Sequence, residues 1–204
     1  MNSVFDSVAD GLAEHGYAVV DQFLSQQEVD EILRLEEFQS EGATFKKAGI
    51  GNMKSLQIRE AVRGDYIHWL DTKNSHGSVQ VYLNRLEELV QFLNQALFLS
   101  LKDVEIHMTV YPIGSFYKRH LDQFKQNDHR KLSVICYLNT EWKEEYGGQL
   151  RMYLPGRSQD VLPVAGRLVC FRSDQIEHEV LPSKRLRLSI TGWMLDQLVS
   201  MKHV

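Results

Sequence analysis

The sequence is short of cysteine: Cys136 and Cys170 are the only two in 204 residues. Both lie in apolar runs, "LSVICYLN" and "RLVCF", where buried free thiols are the ordinary occupants. Two cysteines make neither a disulfide framework nor a cysteine-ligated zinc site. Charge of one sign is also missing. The formal net charge of −4 gives no general attraction to a phosphate backbone. The densest basic stretch (Lys118, Arg119, Lys125, Arg130 and Lys131) is diluted by Asp122 and Asp128 and reads as a solvated mixed-charge loop. No nucleic-acid partner is expected. No apolar run approaches the ~20 residues that cross a bilayer, so no membrane partner is expected either. The opening "MNSVFDSVADGL" lacks the basic-then-apolar order of a secretory signal, and a cytoplasmic location is expected. Internal repeats, low-complexity tracts and linkers are absent. The length suits one domain over residues 1–204, and a monomer is expected.

What is present changes character along the chain. Over residues 1–103 helical periodicity dominates. Phe5, Val8, Leu12 and Ala13 form one apolar stripe. Ser25 followed by Glu28 has the capping-box spacing, ahead of a buried side made of Val29, Ile32, Leu33 and Leu35. A third helix is predicted over roughly 79–100 on Leu83, Leu86, Val90, Leu93 and Leu97. Between the second and third helices, Gly49 and Gly51 mark a long exposed segment that reads as a lid or a plain surface loop, and "YIHWL" reads as a strand. From 104 to 195 come eight short runs, from "VEIHMTVY" to "RLRLSITGWML", most of them separated by glycine- or proline-bearing turns. That pattern predicts a mainly β fold, a double-stranded β-helix (jelly roll) core with the N-terminal helices packed on one face.

Within "FYKRHLDQF", His120 and Asp122 are two residues apart, so a strand would present both on one face. Taken alone they are a surface ion pair or two thirds of a metal site. A third ligand must come from elsewhere, and His178 in "IEHEVLP" is the best placed of the remaining histidines. Two imidazoles and one carboxylate on one face leave half an octahedron open, the facial triad of non-heme Fe(II) oxygenases. Nine residues on, Arg187 lies in the alternating strand "RLRLSITGWML". Arg185, Arg187, Ser189, Thr191 and Trp193 share one face, which meets either water or a polar pocket. Arg187 close behind a third ligand favours the pocket, where a guanidinium grips a carboxylate bidentately.

With these residues in view, the sequence resembles the Fe(II)- and 2-oxoglutarate-dependent dioxygenases of the prolyl 4-hydroxylase type. It is similar to the hypoxia-inducible-factor prolyl hydroxylases and their bacterial homologues. The likeness runs from about 45 to 195 and rests on "VRGDYIHWL", "VYPIGSFYKRHLD" (one residue shorter in its loop), "CYLNTEW" with "GGQLRMYLPG", "RLVCFRSDQIEHEVLP" and "RLRLSITGWML". The resemblance implies that His120, Asp122 and His178 hold Fe(II). It implies that Arg187 and Tyr137 bind the distal carboxylate of 2-oxoglutarate, that Thr191, Ile135 and Leu150 line its pocket, and that Tyr111 lies beside the keto acid. Trp193 would wall the substrate side. Arg130 and the pair Arg63 and Asp65 would engage or organise a protein substrate carrying the target proline, and residues 46–60 would form a mobile loop over it. Ascorbate is expected to stimulate turnover. His107 stands where a less polar residue is expected, and reads as a satisfied strand histidine rather than a partner of the site.

The implied reaction is hydroxylation of a prolyl residue in a protein, for instance a translation or transcription factor, with O2 consumed and succinate and CO2 released. Two alternatives stay open. One is an oxygenase of the same superfamily acting on a small molecule or free amino acid. The other is a non-catalytic jelly-roll binding module.

Overall fold

The computed structural model describes residues 2–39, 45–49, 61–72, 75, 77–123 and 128–198. Helix α1 (Asn2–His15) leads into strand β1 (Tyr17–Val20), then α2 (Gln26–Leu33) and the short α3 (Glu36–Gln39). Strands β2 (Lys46–Lys47) and β3 (Tyr66–Trp69) precede the long helix α4 (Gly77–Leu97). The remaining strands are β4 (Asp103–Tyr111), β5 (Tyr117–His120), β6 (Arg130–Tyr137), β7 (Leu150–Leu154), β8 (Arg157–Val161), β9 (Leu168–Arg172), β10 (Glu177–Val180) and β11 (Arg187–Leu195). All eight runs read as strands in the C-terminal half are strands. None of the helices among the described residues is long and apolar enough to cross a membrane.

The strands form two antiparallel sheets, in the orders β1-β9-β6-β11-β4-β3-β2 and β5-β10-β7-β8. This is the predicted jelly roll. One difference is that the N-terminal half is not only helical support. β1 extends the large sheet beside β9, with Tyr17 opposite Phe171, and β3 extends it beside β4, with Trp69 opposite His107.

Strand alternation divides the large sheet into two faces. Leu132, Val134 and Cys136 of β6, Ile106 and Met108 of β4, and Ile190 and Met194 of β11 pack against the helices. Val8 and Leu12 of α1, Val29 and Ile32 of α2, and Leu86, Leu89 and Leu93 of α4 meet them there. Ala9 rather than Ala13 completes the α1 stripe: Ala9 is buried and Ala13 exposed. The opposite face carries Tyr111, Ile135, Tyr137, Val169 and Phe171. It packs against Leu150, Met152 and Val180 of the small sheet, and this interface is the inside of the barrel. Fully burying one such leucine or phenylalanine is worth ~1.5–3 kcal/mol, so both interfaces contribute substantially. The helix layer is pinned as expected from sequence. Ser25 and Glu28 form the capping box of α2, and Glu28 also takes Arg85 of α4 at 2.7 Å.

Candidate metal and anion site

His120 ends β5 and His178 lies in β10, where the two are direct cross-strand partners. Asp122 follows just beyond the end of β5. The nearest imidazole nitrogens lie 3.3 Å (His120 Nε2) and 3.7 Å (His178 Nε2) from the Asp122 carboxylate oxygens, and one ligand atom from each residue lies within 4.8 Å of the others. Ligands at right angles around an ion ~2.1 Å away sit about 3 Å apart, so a single ion can be shared at these spacings. Among the described residues this is the one such cluster.

The surroundings fix which atoms face the shared point. His120 Nδ1 contacts Lys118 O at 2.7 Å, and His178 Nδ1 contacts Ile176 O at 3.2 Å. A carbonyl only accepts, so each ring donates its proton from Nδ1 and leaves the Nε2 lone pair for a metal. Burial pushes His178 down to about 4, against which the Asp122 charge works, so the ring is neutral at ordinary pH, as a ligand must be. Burial alone would raise the Asp122 carboxyl, but His178, His120 and the Ser133 hydroxyl outweigh it and hold it well below the usual range. Ser133 Oγ donates to Asp122 Oδ2 at 2.6 Å and meets Ser173 Oγ at 2.8 Å.

Arg187 opens β11 and is 1% exposed. Its contacts are a backbone carbonyl, Gly148 O at 2.9 Å from Nε, and two phenol rings, Tyr111 and Tyr137, whose centres lie 4.9 and 5.0 Å from Cζ. Gly148 has φ 69°, and a Cβ there would lie 3.2 Å from Arg187 Cδ and 3.1 Å from Ser183 Oγ, so a side chain would crowd the guanidinium stem. Register then lays out a row along the inner face: Arg187 opposite Tyr111, Ser189 between Thr109 and Tyr137, Thr191 between His107 and Ile135, and Trp193 between Glu105 and Ser133. The cation stands at one end of β11. Ser133, and through it Asp122, stands at the other.

Buried polar atoms test what this face accepts. Thr109 Oγ1, Tyr137 OH, Arg187 Nη2 and Trp193 Nε1 are buried and make no hydrogen bond among the described residues. All four belong to the inner-face row; the only other such atom among the described residues, Tyr82 OH, lies in the helix-side core. An unmade hydrogen bond on a buried group costs about 1–3 kcal/mol. Several in one row of donors match the oxygens of an acidic ligand. A metal triad and a buried guanidinium served by the same inner face are the two fixtures that a metal-chelating dicarboxylate needs.

The remaining expected residues are found as follows. Thr191, Ile135 and Tyr111 lie on the inner face, and Leu150 faces them from β7. Arg130 Cζ sits 3.4 Å from the Trp193 ring centre, and its Nη2 takes Glu105 at 3.1 Å. Arg63 binds Asp65 through Nε at 2.7 Å and Nη2 at 2.5 Å, and Asp65 is buried. Arg185 departs from expectation: it precedes β11, is exposed, and lies over Tyr146 instead of the inner face. His107 is the satisfied strand histidine expected, its Nδ1 2.6 Å from Thr191 O and its ring against Trp69 and Trp193. Of the expected loop 46–60, residues 50–60 lie outside the described residues. Ser133, Thr109, Trp69 and Tyr117 were not singled out. For Ser133 the signal was present, since it alternates with Ile135 and Tyr137 in "LSVICYLN".

Comparison with known proteins agrees with this chemistry. Residues 106–195 match the 2OG-Fe(II) oxygenase superfamily. Over 95% of this chain and 100% of the other, the fold superposes on the crystal structure of a Pseudomonas putida prolyl-4-hydroxylase with a TM-score of 0.84 and 40% identity. A Trichoplax adhaerens prolyl hydroxylase, solved in complex with a hypoxia inducible factor oxygen degradation domain peptide fragment, matches with a TM-score of 0.83 and 26% identity, over 95% of this chain and 90% of that one. A hypoxia-inducible factor prolyl hydroxylase of Caenorhabditis elegans is 29% identical over 208 residues, 95% of this chain. The chain spans 28% of that relative's length. The chain belongs to the 2OG-Fe(II) oxygenase superfamily and is a dioxygenase of the prolyl 4-hydroxylase type. That membership implies Fe(II) and 2-oxoglutarate, for which the triad and the row of buried donors are suited.

Proposed function

We propose that the protein hydroxylates a prolyl residue in a protein substrate. Bound Fe(II), with 2-oxoglutarate and O2, supplies the oxidation that replaces a substrate C–H hydrogen by hydroxyl, releasing succinate and CO2. The chain's own residues do the rest. His120, Asp122 and His178 hold the metal on one side and leave the other open. Arg187 and Tyr137 bind the far carboxylate of the keto acid, with Tyr111 beside it. Thr191, Ile135 and Leu150 wall that pocket and exclude water. Trp193 and Arg130, stacked at the Asp122 end of the row, face the peptide, and Arg63 and Asp65 organise the segment that meets it.

The observation that carries this reading is the likeness over the whole length of the Pseudomonas putida prolyl-4-hydroxylase, together with the His120, Asp122 and His178 cluster of this chain. The Trichoplax adhaerens enzyme, solved with a peptide fragment, supports a protein segment as the substrate class. The test is incubation of the protein with cell lysate, Fe(II), ascorbate and 2-oxoglutarate, followed by mass spectrometry. Expected is a one-oxygen mass gain on a proline that requires every component. Turnover of free amino acids or other small molecules with no modified peptide would replace this reading with the small-substrate alternative.

A further inference from the structure

We propose that the Arg63–Asp65 pair is a positioning element for the ligand His120, acting through the ring of Tyr117. The strand that carries His120 needs such support. β5 is an edge strand of four residues, and its pairing with β10 is irregular. His178 stands opposite His120, but Val180 stands opposite Tyr117, so three steps on β5 match two on β10. This bulge turns Tyr117 to the same side as His120, where regular alternation would have put them on opposite faces. The two rings stack at 3.6 Å with an interplanar angle of 17°.

The other edge of β5 is held by residues 62–64. Arg63 pairs with Tyr117, Gly64 N donates to Phe116 O at 2.9 Å, and Lys118 N donates to Val62 O at 2.9 Å. Lys118 is also the residue whose carbonyl takes the His120 Nδ1 proton. Gly64 permits the approach, since a Cβ there would lie 2.8 Å from Ser115 Cβ. Above the backbone contact, Arg63 Cζ sits 4.3 Å from the centre of the Tyr117 ring. His120 occupies one face of that ring, so the guanidinium covers what His120 leaves. Asp65, with a fully buried side chain, grips Arg63 through both nitrogens and fixes its plane. The result is a continuous stack, Asp65 to Arg63 to Tyr117 to His120, which sets the orientation of the imidazole. One end of the stack belongs to the segment that the proposed function assigns to substrate engagement.

This inference rests on His120 being an iron ligand, and the experiment separates the two claims. Fe(II) affinity is measured anaerobically, with the 2-oxoglutarate-dependent visible absorbance as a second readout, on wild type, Tyr117→Phe, Tyr117→Leu and the double variant Arg63→Met/Asp65→Asn. The double variant removes the ion pair without stranding a buried charge. Tyr117→Phe keeps the stack and should bind like wild type. Tyr117→Leu and the double variant should each weaken Fe(II) binding by about 10–100-fold, as loss of groups that orient a ligand does. Combining them should add nothing further, because both break one relay. A role confined to stability would lower the unfolding temperature and leave the affinity of the folded protein unchanged. Unaltered Fe(II) affinity in Tyr117→Leu or in the folded double variant, or losses that simply add, would overturn this inference alone. If the double variant does not fold, Arg63→Lys takes its place: it keeps a cation for Asp65 but loses the planar guanidinium over Tyr117, and unchanged Fe(II) affinity in it would overturn the inference. Failure of the wild type to take up Fe(II) would overturn the triad and this inference with it.

Discussion

Replacing Arg187 by methionine separates the anion site from the fold. Methionine keeps an unbranched stem beside Tyr111 and Tyr137 and removes the guanidinium. That group is 1% exposed, donates from Nε to Gly148 O at 2.9 Å, and holds Nη2 with no acceptor among the described residues. Truncating one member of a buried charge pair costs ~2–5 kcal/mol. At ~1.4 kcal/mol per decade, 2-oxoglutarate binding should weaken by roughly 30-fold to roughly 4,000-fold. A ligand at 100 times its dissociation constant stabilises a protein by about 2.7 kcal/mol. The same concentration should stabilise Arg187→Met by less than ~1 kcal/mol. Without ligand the variant should lie within about 1–2 kcal/mol of wild type, because loss of the hydrogen bond to Gly148 O is offset by removal of a buried charge that has no counter-ion until the ligand binds. The assay is denaturant unfolding of the Fe(II)-loaded protein under nitrogen, with and without 2-oxoglutarate. Retention of the full ligand-induced stabilisation in Arg187→Met would refute the assignment. An equal loss of stability with and without ligand would show that the arginine serves the fold.

Two further outcomes are expected. Leu86 of α4 is fully buried against the large sheet, so Leu86→Ala should lower unfolding free energy by about 2–5 kcal/mol in urea titrations; a change under ~1 kcal/mol would mean the helix layer is less tightly packed than described. Burial pushes His107 down to about 4, only partly offset by its bond to Thr191 O, whereas in the unfolded chain it titrates near ~6.5. The unfolded state therefore takes up the proton first. Stability is complete above that pH and falls by about 3 kcal/mol as pH drops toward 4. His107→Asn keeps a donor for Thr191 O and removes the titration, so the gap between wild type and variant should narrow or reverse by that amount across the window. Parallel pH profiles would exclude His107 as the source.

The strands of the C-terminal half were legible because each is a short alternating run closed by a turn. The capping box at Ser25 and Glu28 was legible because it is local. His120 and Asp122 were legible because two-residue spacing survives the end of β5, and Arg187 because its strand alternates so regularly. What the sequence hid depends on pairing across distance. β1 is a four-residue apolar run, "YAVV", without a long enough period to announce that it borders β9. The Tyr117 stack on His120 depends on a bulge, which reverses the face that alternation assigns. Trp69 reaches His107 and Trp193 only because β3 pairs with β4, across the intervening α4.

The central claim is that two imidazoles and one carboxylate share a single ion in a chain that also binds a keto acid. It is tested most directly by anaerobic titration of Fe(II) into the wild type and Asp122→Ala, with 2-oxoglutarate present and visible absorbance recorded. Expected is uptake of a single Fe(II) per wild-type chain with a 2-oxoglutarate-dependent band, and neither in Asp122→Ala. Equal uptake and an equal band in the two proteins would contradict it.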